Sequence, residues 1–226
     1  MDTEVKAELL RKEIVTVATL NRQGHIASSL SCLDILTVLY YDIADKKDTI
    51  ILSKGHGCYG LYAIWADIGL LDRAKWERFQ LDGCLDGYGS LGHGLPIAVG
   101  IAFANKKMNK PYHTWVIVGD GELQEGSCWE ALSFMYHHNL TNLTVIVDNN
   151  GLQAMDRTNR IMYANLTHRF RGWGFSPFYC NGHNHKELKK MLESKPLVLI
   201  AKTIKGKGID YMENKAEWHY KYPGTL

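Results

Sequence analysis

The sequence lacks paired cysteines. Its five cysteines are widely separated, odd in number and include no C-x-x-C motif. This spacing argues against a zinc ribbon and against a disulfide framework. We therefore expect ordinary reduced thiols and a cytoplasmic location. The residues concerned are Cys32, Cys58, Cys84, Cys128 and Cys180.

The sequence also lacks an excess of either charge. Its 26 Lys and Arg residues nearly balance 24 Asp and Glu residues, which gives a formal net charge of +2. The basic residues form no long run that would suit nucleic acid or an anionic membrane surface. We expect no nucleic-acid partner and no membrane association.

Long apolar runs are missing as well. No run approaches the roughly 20 residues that a bilayer span needs. Residues 1–14 are charged and lack the apolar stretch of a signal peptide. Hydrophobic residues make up 46 % of the chain and charged residues 22 %, which suits an ordinary globular core. We expect a protein that is neither secreted nor embedded in a membrane.

Short β-branched runs alternate with helical patterns along the chain. The alternation predicts an α/β domain, with a mainly parallel sheet and helices on both faces. No repeat or linker divides the chain, so a single domain over residues 1–226 is expected. The predicted strands lie within 49–52, 114–121, 142–152 and 197–208, and the predicted helices at 4–20, 32–41, 57–69, 72–80, 95–107 and 129–140.

Glycine and polar residues follow each predicted strand. Ligands of parallel sheets bind beyond the carboxyl ends of the strands, so these loops should converge on one site. The loops read "SKGHG", "GDGE", "DNNG" and "KTIKGKG". Gly55, Gly57 and Gly60 have the G-x-G-x-x-G spacing of a dinucleotide-binding turn. That fingerprint is weak alone, and no acidic residue ends a clean second strand about 20 residues later.

The loops "GDG" and "DNNG" form the strongest pair. The 27 residues between Gly121 and Asn149 suit a turn, one helix and one strand, which places Asn150 beside Asp120. A carboxylate, an amide oxygen and a backbone carbonyl suit Mg²⁺, with Ca²⁺ or Mn²⁺ as alternatives. The helix that begins near Ser127 can direct its amino end towards phosphates.

Several blocks in the same order resemble the amino-terminal part of transketolases. They are "GHIASSLSCLDILTVLYY", "TIILSKGHG", "GSLGHGLPIAVGIA", "GDGELQEGSCWEA", the Asn149–Asn150 pair and "AKTIKGKG" followed by "WH". The resemblance covers essentially the whole chain. It implies the thiamine-diphosphate-binding fold, a single domain that binds the diphosphate, and thiamine diphosphate as cofactor.

The resemblance also implies roles for individual residues. The metal would be held by Asp120, Asn150 and the backbone carbonyl of Leu152. The implied cofactor-binding residues are His56, Gly92, Gly94, Leu95, Gly119, Asp120, Gly121, Glu122 and Asn150. His93 stands where many relatives have glutamine.

Five residues are implied to be catalytic. His25 would face the substrate, His56 the diphosphate, and His219 the reactive thiazolium and substrate. Glu125 and Glu130 match acidic residues of a proton-sharing network across the dimer interface of transketolases. For Glu130 an alternative is purely structural, because Ser127-x-x-Glu130 has the pattern of a capping box.

Other residues are predicted to be structural or solvated. Lys205 and Lys207 are expected in solvent, and His137 and His138 in packing or at the surface. Trp173, Phe175, Phe178 and Tyr179 are expected in the core or in an interface.

The chain departs from transketolases in two respects. The Gly-His-Pro sequence that usually precedes "GSLG" is missing, with only Cys84 nearby, which puts the standard sugar-phosphate substrates in doubt. No equivalent of the glutamate that serves the aminopyrimidine ring in the second transketolase domain can be placed in residues 1–226, so we expect another polypeptide to supply it.

These departures lead to a hypothesis of a split transketolase. A carboxy-terminal subunit with the pyrimidine-binding domain would join this chain in a heterotetramer, which would transfer a two-carbon ketol unit from a ketose to an aldose. The alternatives are the alpha subunit of a 2-oxo-acid dehydrogenase, another thiamine-dependent carboligase, and a catalytically silent remnant.

Overall fold

A computed structural model describes residues 2–79, 90–162 and 165–224. Within them five strands form one sheet in the order β1-β2-β3-β5-β4, and every neighbouring pair is parallel. The strands are β1 (Thr49–Leu52), β2 (Thr114–Gly119), β3 (Leu143–Asn149), β4 (Phe178–Asn181) and β5 (Val198–Lys202). The α-helices are α1 (Thr3–Leu20), α2 (Ile26–Val38), α3 (Cys58–Asp67), α4 (Arg73–Glu77), α5 (Gly94–Lys107), α6 (Gly126–His137), α7 (Thr158–Ile161), α8 (Leu166–Gly172) and α9 (His185–Glu193).

The sheet separates two hydrophobic clusters. In β2, Trp115 and Ile117 pack against the cluster formed with α1, α2, α3 and α9. Val116 and Val118 of the same strand pack against α5 and α6. Successive side chains of a strand point to opposite faces, so a strand covered on both faces is apolar at every position. The predicted α/β class, with a parallel sheet and helices on both faces, is confirmed.

Helix α2 begins earlier than predicted. The serines that we expected to precede a helix at 32–41 lie inside α2, which starts at Ile26. Their hydroxyl groups are buried, and Ser31 Oγ donates to Asp148 Oδ1 at 2.7 Å. A serine cluster commonly marks a loop, but here tertiary hydrogen bonds keep it within a core helix.

One helical segment qualifies as a membrane span by length and composition alone. It comprises the 18 residues Ile26–Ile43, with a mean hydropathy of 1.4. The expectation that no run approaches the length of a span was therefore too strict. Since 78 % of the segment is buried inside the fold, its apolar character suits a core helix equally well.

Acidification should destabilise the fold through His113, which precedes β2. Its Nε2 lies 2.9 Å from Thr144 Oγ1. Burial, followed by the charge of Lys195, lowers the pKa of His113 from 6.5 to about 4. The stability that comes from keeping this ring neutral is therefore present above pH 6.5 and is lost as the pH falls towards 4.

Urea denaturation across this pH range should show a smaller loss of unfolding free energy for H113Q than for the wild type. The difference between the two proteins isolates His113 from other titrating groups. A variant of the exposed His168, H168Q, should follow the wild type. Equal losses for H113Q and the wild type would contradict the assignment.

Candidate functional site

The loops that follow β1, β2, β3 and β5 converge on one cavity of about 340 Å³. The convergence follows from the parallel sheet, because all carboxyl ends lie at the same edge. Nine of the predicted site residues line the cavity. They are His25, His56, Gly119, Asp120, Gly121, Glu122, Asn150, Leu152 and His219.

Asp120 is a buried carboxylate at the end of β2. Its Oδ1 accepts a hydrogen bond from the Gly121 N–H at 2.9 Å, and its Oδ2 accepts one from the Gly151 N–H at 2.8 Å. Burial, with a contribution from the charge of Asp148, raises the pKa of Asp120 to about 6. A buried carboxylate held in this way is stabilised as the anion by a bound cation.

The neighbouring oxygen atoms fit a hard divalent cation. Asn150 follows β3, and its Oδ1 accepts from the Leu152 N–H at 3.0 Å, so the two predicted ligands belong to one turn. Among the described residues no group of three His, Cys, Asp or Glu side chains could hold a metal ion. An amide oxygen and a backbone carbonyl must therefore complete the set, and such ligands suit Mg²⁺ or Ca²⁺ better than a transition metal.

A buried ion pair lies beneath Asn150. Lys54 Nζ contacts Asp148 Oδ2 and donates to the Ser28 carbonyl at 2.9 Å. Asn150 Nδ2 donates to Ser31 Oγ at 3.0 Å, and Ser31 in turn donates to Asp148. This network fixes the orientation of the Asn150 amide. Sequence reasoning did not single out Lys54, Asp148 or Ser31.

Lys205 is buried, and the prediction that it lies in solvent is wrong. Only 1 % of the residue is exposed. Its Nζ donates to the Gln153 carbonyl at 3.0 Å and lies 2.7 Å from His219 Nδ1. Burial, followed by the charge of Lys54, lowers the pKa of Lys205 to about 8. Lys207 is half-buried and pairs with Glu213 at 3.5 Å.

Three histidines form one cluster in the cavity. The ring centroids of His25 and His219 are 5.0 Å apart, and that of His56 lies 5.7 Å from His25 and 5.5 Å from His219. Burial lowers the pKa of each ring, and the nearby lysines lower it further. The rings are therefore neutral at pH 7 and interact with a ligand as uncharged hydrogen-bonding groups. His25 Nδ1 is buried without a hydrogen-bond partner among the described residues, which leaves it available to a ligand.

Glu122 joins three loops at the rim of the cavity. Its Oε1 accepts from Ser53 Oγ at 2.5 Å and from the Gly92 N–H at 3.0 Å, while Oε2 accepts from the Gly119 N–H at 3.0 Å. Gly92 has a φ of +84°, which favours glycine. Gly92 and Gly94 do not line the cavity themselves, and Leu95 is fully buried in the core.

Gly94 is constrained by close packing at the start of α5. A Cβ there would lie 2.6 Å from Ser53 Cα, a backbone atom of the residue whose hydroxyl group donates to Glu122. We expect G94A to lower the free energy of unfolding by about 1–3 kcal/mol. In the same helix an added Cβ at Gly100 meets nothing within 4 Å, so G100A should stabilise by about 0.5–1 kcal/mol. Urea denaturation of both variants tests this, and equal effects would contradict it.

Glu125 and Glu130 lie outside the cavity. Both are exposed, and Glu130 lines a shallow hollow between α5 and α6 with His93, Pro96 and Phe134. Their role across an interface stays a prediction. The capping box is wrong, because α6 begins at Gly126 with Glu125 as N-cap, and Ser127 Oγ donates to the Gly92 carbonyl at 2.8 Å.

The glycines of "KGHGCYG" serve packing. A Cβ at Gly57 would lie 2.8 Å from Lys54 Cε, and one at Gly60 would lie 3.4 Å from Leu33 Cδ1. These two glycines let α3 approach Lys54 and α2 closely. The missing Gly-His-Pro sequence and Cys84 fall at residues 80–89, outside the described residues.

The aromatic group is divided between core and surface. Phe175 is buried, whereas Trp173, Phe178 and Tyr179 are each 42–50 % exposed. Phe178 and Tyr179 form part of the short edge strand β4, which was not predicted. His137 is exposed and His138 half-buried, as expected.

A family model and individual relatives of this chain both point to transketolases. Residues 74–222 match the family model "Transketolase, thiamine diphosphate binding domain". The chain is 37 % identical to a subunit of the apulose-4-phosphate transketolase of Actinobacillus succinogenes, over 98 % of this chain and 91 % of that protein. It is 34 % identical to the subunit of the same name from Phocaeicola vulgatus, over 97 % of this chain and 89 % of that protein.

Full-length transketolases match over a smaller part of their length. The human enzyme is 34 % identical over 95 % of this chain, which corresponds to 39 % of the human protein. The crystal structure of Campylobacter jejuni transketolase superposes with a TM-score of 0.89 and 28 % identity, over 98 % of this chain and 41 % of that one. The chain thus spans about two fifths of a full-length transketolase. It belongs to the transketolase family and carries that family's thiamine diphosphate binding domain.

Proposed function

We propose that the chain is the diphosphate-binding subunit of a split transketolase. With a carboxy-terminal subunit it would transfer a two-carbon ketol unit from a ketose to an aldose. The observation that carries the proposal is the convergence of Asp120, Asn150, Lys205 and three histidines on one cavity at the strand ends. Oxygen ligands, a buried cation and uncharged hydrogen-bonding rings are the groups that a metal-bound diphosphate and a sugar need.

Asp120, Asn150 and the Leu152 carbonyl would hold the divalent cation, and Mg²⁺ is the preferred ion. Ca²⁺ or Mn²⁺ would suit the same oxygen atoms. Thiamine diphosphate, when bound, supplies the stabilisation of a carbanion, while the protein supplies position and electrostatics. Lys205 faces the cavity with a positive charge and would neutralise one of the phosphate charges.

The histidines would form hydrogen bonds with the hydroxyl groups of the sugar. Their lowered pKa values keep His25, His56 and His219 neutral at pH 7. One ring nitrogen each of His25 and His56 can accept a hydrogen bond from a hydroxyl group, whereas Nδ1 of His219 already accepts from Lys205, so its Nε2–H can donate to a sugar oxygen. The short distances between the rings allow two of them to act on one sugar. A charged ring in this position would repel Lys205.

A partner polypeptide would complete the site. Two observations support a second polypeptide. The two relatives that match this chain nearly end to end are each named as one subunit of a transketolase, and the chain corresponds to only about two fifths of a full-length transketolase. The apolar side chains of Ile97 on α5 and Phe134 on α6 are exposed, and Phe134 lines the hollow that contains Glu130. We place the carboxy-terminal subunit on this side together with a second copy of this chain, in a heterotetramer.

The substrate would be a sugar or sugar phosphate. The two relatives that match over nearly their whole length carry apulose-4-phosphate in their names, which supports a phosphorylated ketose as donor. The match to a transketolase domain leaves the 2-oxo-acid dehydrogenase and carboligase alternatives without support of their own. Four free cysteines among the described residues fit a reduced compartment, and we propose a cytoplasmic location.

Reconstitution tests the proposal. The purified chain, mixed with its partner subunit, thiamine diphosphate and Mg²⁺, should release an aldose from a ketose phosphate and extend an acceptor aldose. Neither polypeptide should do so by itself. Full turnover by this chain alone would contradict the split enzyme, and a complex that binds cofactor without turnover would indicate the silent remnant.

A further inference from the structure

The backbone that carries Lys205 is held by a histidine outside the cavity. His183, which follows β4, accepts a hydrogen bond at Nε2 from the Ile204 N–H at 2.8 Å. Ile204 directly precedes Lys205, whose ammonium group contacts the Gln153 carbonyl and His219. Any shift of the Ile204 peptide group therefore moves the buried cation of the site.

His183 is itself fixed by a carboxylate. Since Nε2 accepts, the ring proton of neutral His183 is on Nδ1, which donates to Asp34 Oδ2 at 2.7 Å. Asp34 is buried in α2 and also receives hydrogen bonds from Arg11 at 3.0 Å and from His185 Nε2 at 2.9 Å. Asp34, itself held by Arg11 of α1 and His185 of α9, thereby defines the tautomer and orientation of His183, as carboxylates commonly do for metal-ligating histidines.

We infer that His183, oriented by Asp34, is a positioning residue that sets the place of Lys205 for the diphosphate. This role rests on the proposed function, because His183 would act on the diphosphate only through the position of Lys205. The geometry that carries it is the continuous chain of hydrogen bonds from Asp34 through the His183 ring to the Ile204 N–H.

Other contacts also hold this loop. The Thr203 N–H donates to the Asn149 carbonyl at 3.2 Å, and the Gly206 N–H donates to the Ala27 carbonyl at 2.9 Å. Loss of the His183 contact therefore shifts Lys205 without releasing the loop. We expect a weaker grip on the diphosphate and a preserved chemical step.

Two substitutions separate the two halves of the ring. In H183N the amide nitrogen replaces Nδ1 and keeps the Asp34 contact, but nothing reaches the Ile204 N–H. In H183Q the amide oxygen replaces Nε2 and keeps the Ile204 contact, while the contact to Asp34 is lost. H185A is the matched control, because it removes a hydrogen bond to Asp34 and leaves Ile204 untouched.

The measurement is made on the complex with the partner subunit. Titration calorimetry with thiamine diphosphate and Mg²⁺ gives the Kd, and steady-state kinetics give KM for the cofactor and kcat. H183N should raise Kd and KM about tenfold, with kcat at saturating cofactor close to the wild type. H183Q should retain most of the affinity, and H185A should match the wild type. Circular dichroism verifies that each variant is folded.

Four results would overturn the inference. An equal loss of thiamine diphosphate affinity in H183N and H185A would show that Asp34 acts only through the general fold. Wild-type affinity in H183N would show that the Ile204 contact does not affect cofactor binding. If H183N fails to fold, loss of affinity in folded H183Q contradicts the inference and retention supports it. A wild-type complex that binds no thiamine diphosphate would contradict the proposed function, and this inference with it.

Discussion

D120A should weaken the binding of thiamine diphosphate in the presence of Mg²⁺ by more than about 100-fold. Loss of a group that merely supports a metal ligand costs about 10–100-fold in metal affinity, and Asp120 is the one carboxylate among the proposed ligands. The substitution also leaves the N–H groups of Gly121 and Gly151 without their acceptor. Activity of the complex with the partner subunit should fall at least as far.

The matched control is D156A, in the same loop region. Asp156 has a side chain that is 42 % exposed, and it pairs with Arg160 at 3.4 Å. The cofactor affinity of D156A should equal that of the wild type. Calorimetry at several Mg²⁺ concentrations provides the comparison. Retention of Mg²⁺-dependent affinity in D120A would place the metal elsewhere.

K54M should lower the free energy of unfolding by about 3–5 kcal/mol. Removal of one partner of a buried ion pair leaves the other charge uncompensated. Asp148 is fully buried and would keep only uncharged donors, the hydroxyl groups of Ser31 and Thr203 and the amide of Asn150 at 3.5 Å. Burial alone lowers the pKa of Lys54, but the neighbouring groups, Asp148 above all, together outweigh this effect and raise it, so Lys54 carries its charge in the fold.

A double-mutant cycle distinguishes the ion pair from simple loss of packing. The double variant K54M/D148N should be less destabilised than the sum of the single variants, because the isolated charge is gone. K6M is the surface control. Lys6 and Asp67 also form an ion pair, at 2.8 Å, but both are partly exposed, so K6M should cost at most about 1 kcal/mol. Urea denaturation that finds additive effects, or equal effects for K54M and K6M, would contradict this account.

The fold and the position of the site could be predicted from the sequence because both depend on local patterns. Apolar runs such as Thr49–Leu52 predict strands, and parallel strands bring their carboxyl ends to one edge. The "GDG" and "DNNG" loops therefore had to meet, and the structure places Asp120 and Asn150 in one cavity.

The buried polar network could not be predicted in the same way. Lys205 stands between an isoleucine and a glycine, in a segment that looks like a solvated loop. Its burial depends on contacts with residues about 50 positions away in the chain, such as Gln153. The same holds for Lys54 and Asp148, which are 94 residues apart. The sequence signal for a role of Lys54, Asp148 and Lys205 in the site was their position at or beside the ends of predicted strands.

Two errors had a shared cause. The pattern Ser127-x-x-Glu130 predicts a capping box, but the Ser127 hydroxyl donates to the Gly92 carbonyl, 35 residues earlier in the chain. The edge strand β4 has only four residues, and three of them are exposed, so it lacks the apolar run that marked the other strands. In both cases a long-range contact decided the structure.

Native mass spectrometry of the chain isolated from its own host tests the central claim most directly. The account predicts a complex with two copies of this chain, two copies of a second polypeptide, bound thiamine diphosphate and a divalent ion. The same complex prepared with D120A should lack the cofactor and the ion. A complex that takes up no thiamine diphosphate with added Mg²⁺, although both polypeptides are present, would contradict the account.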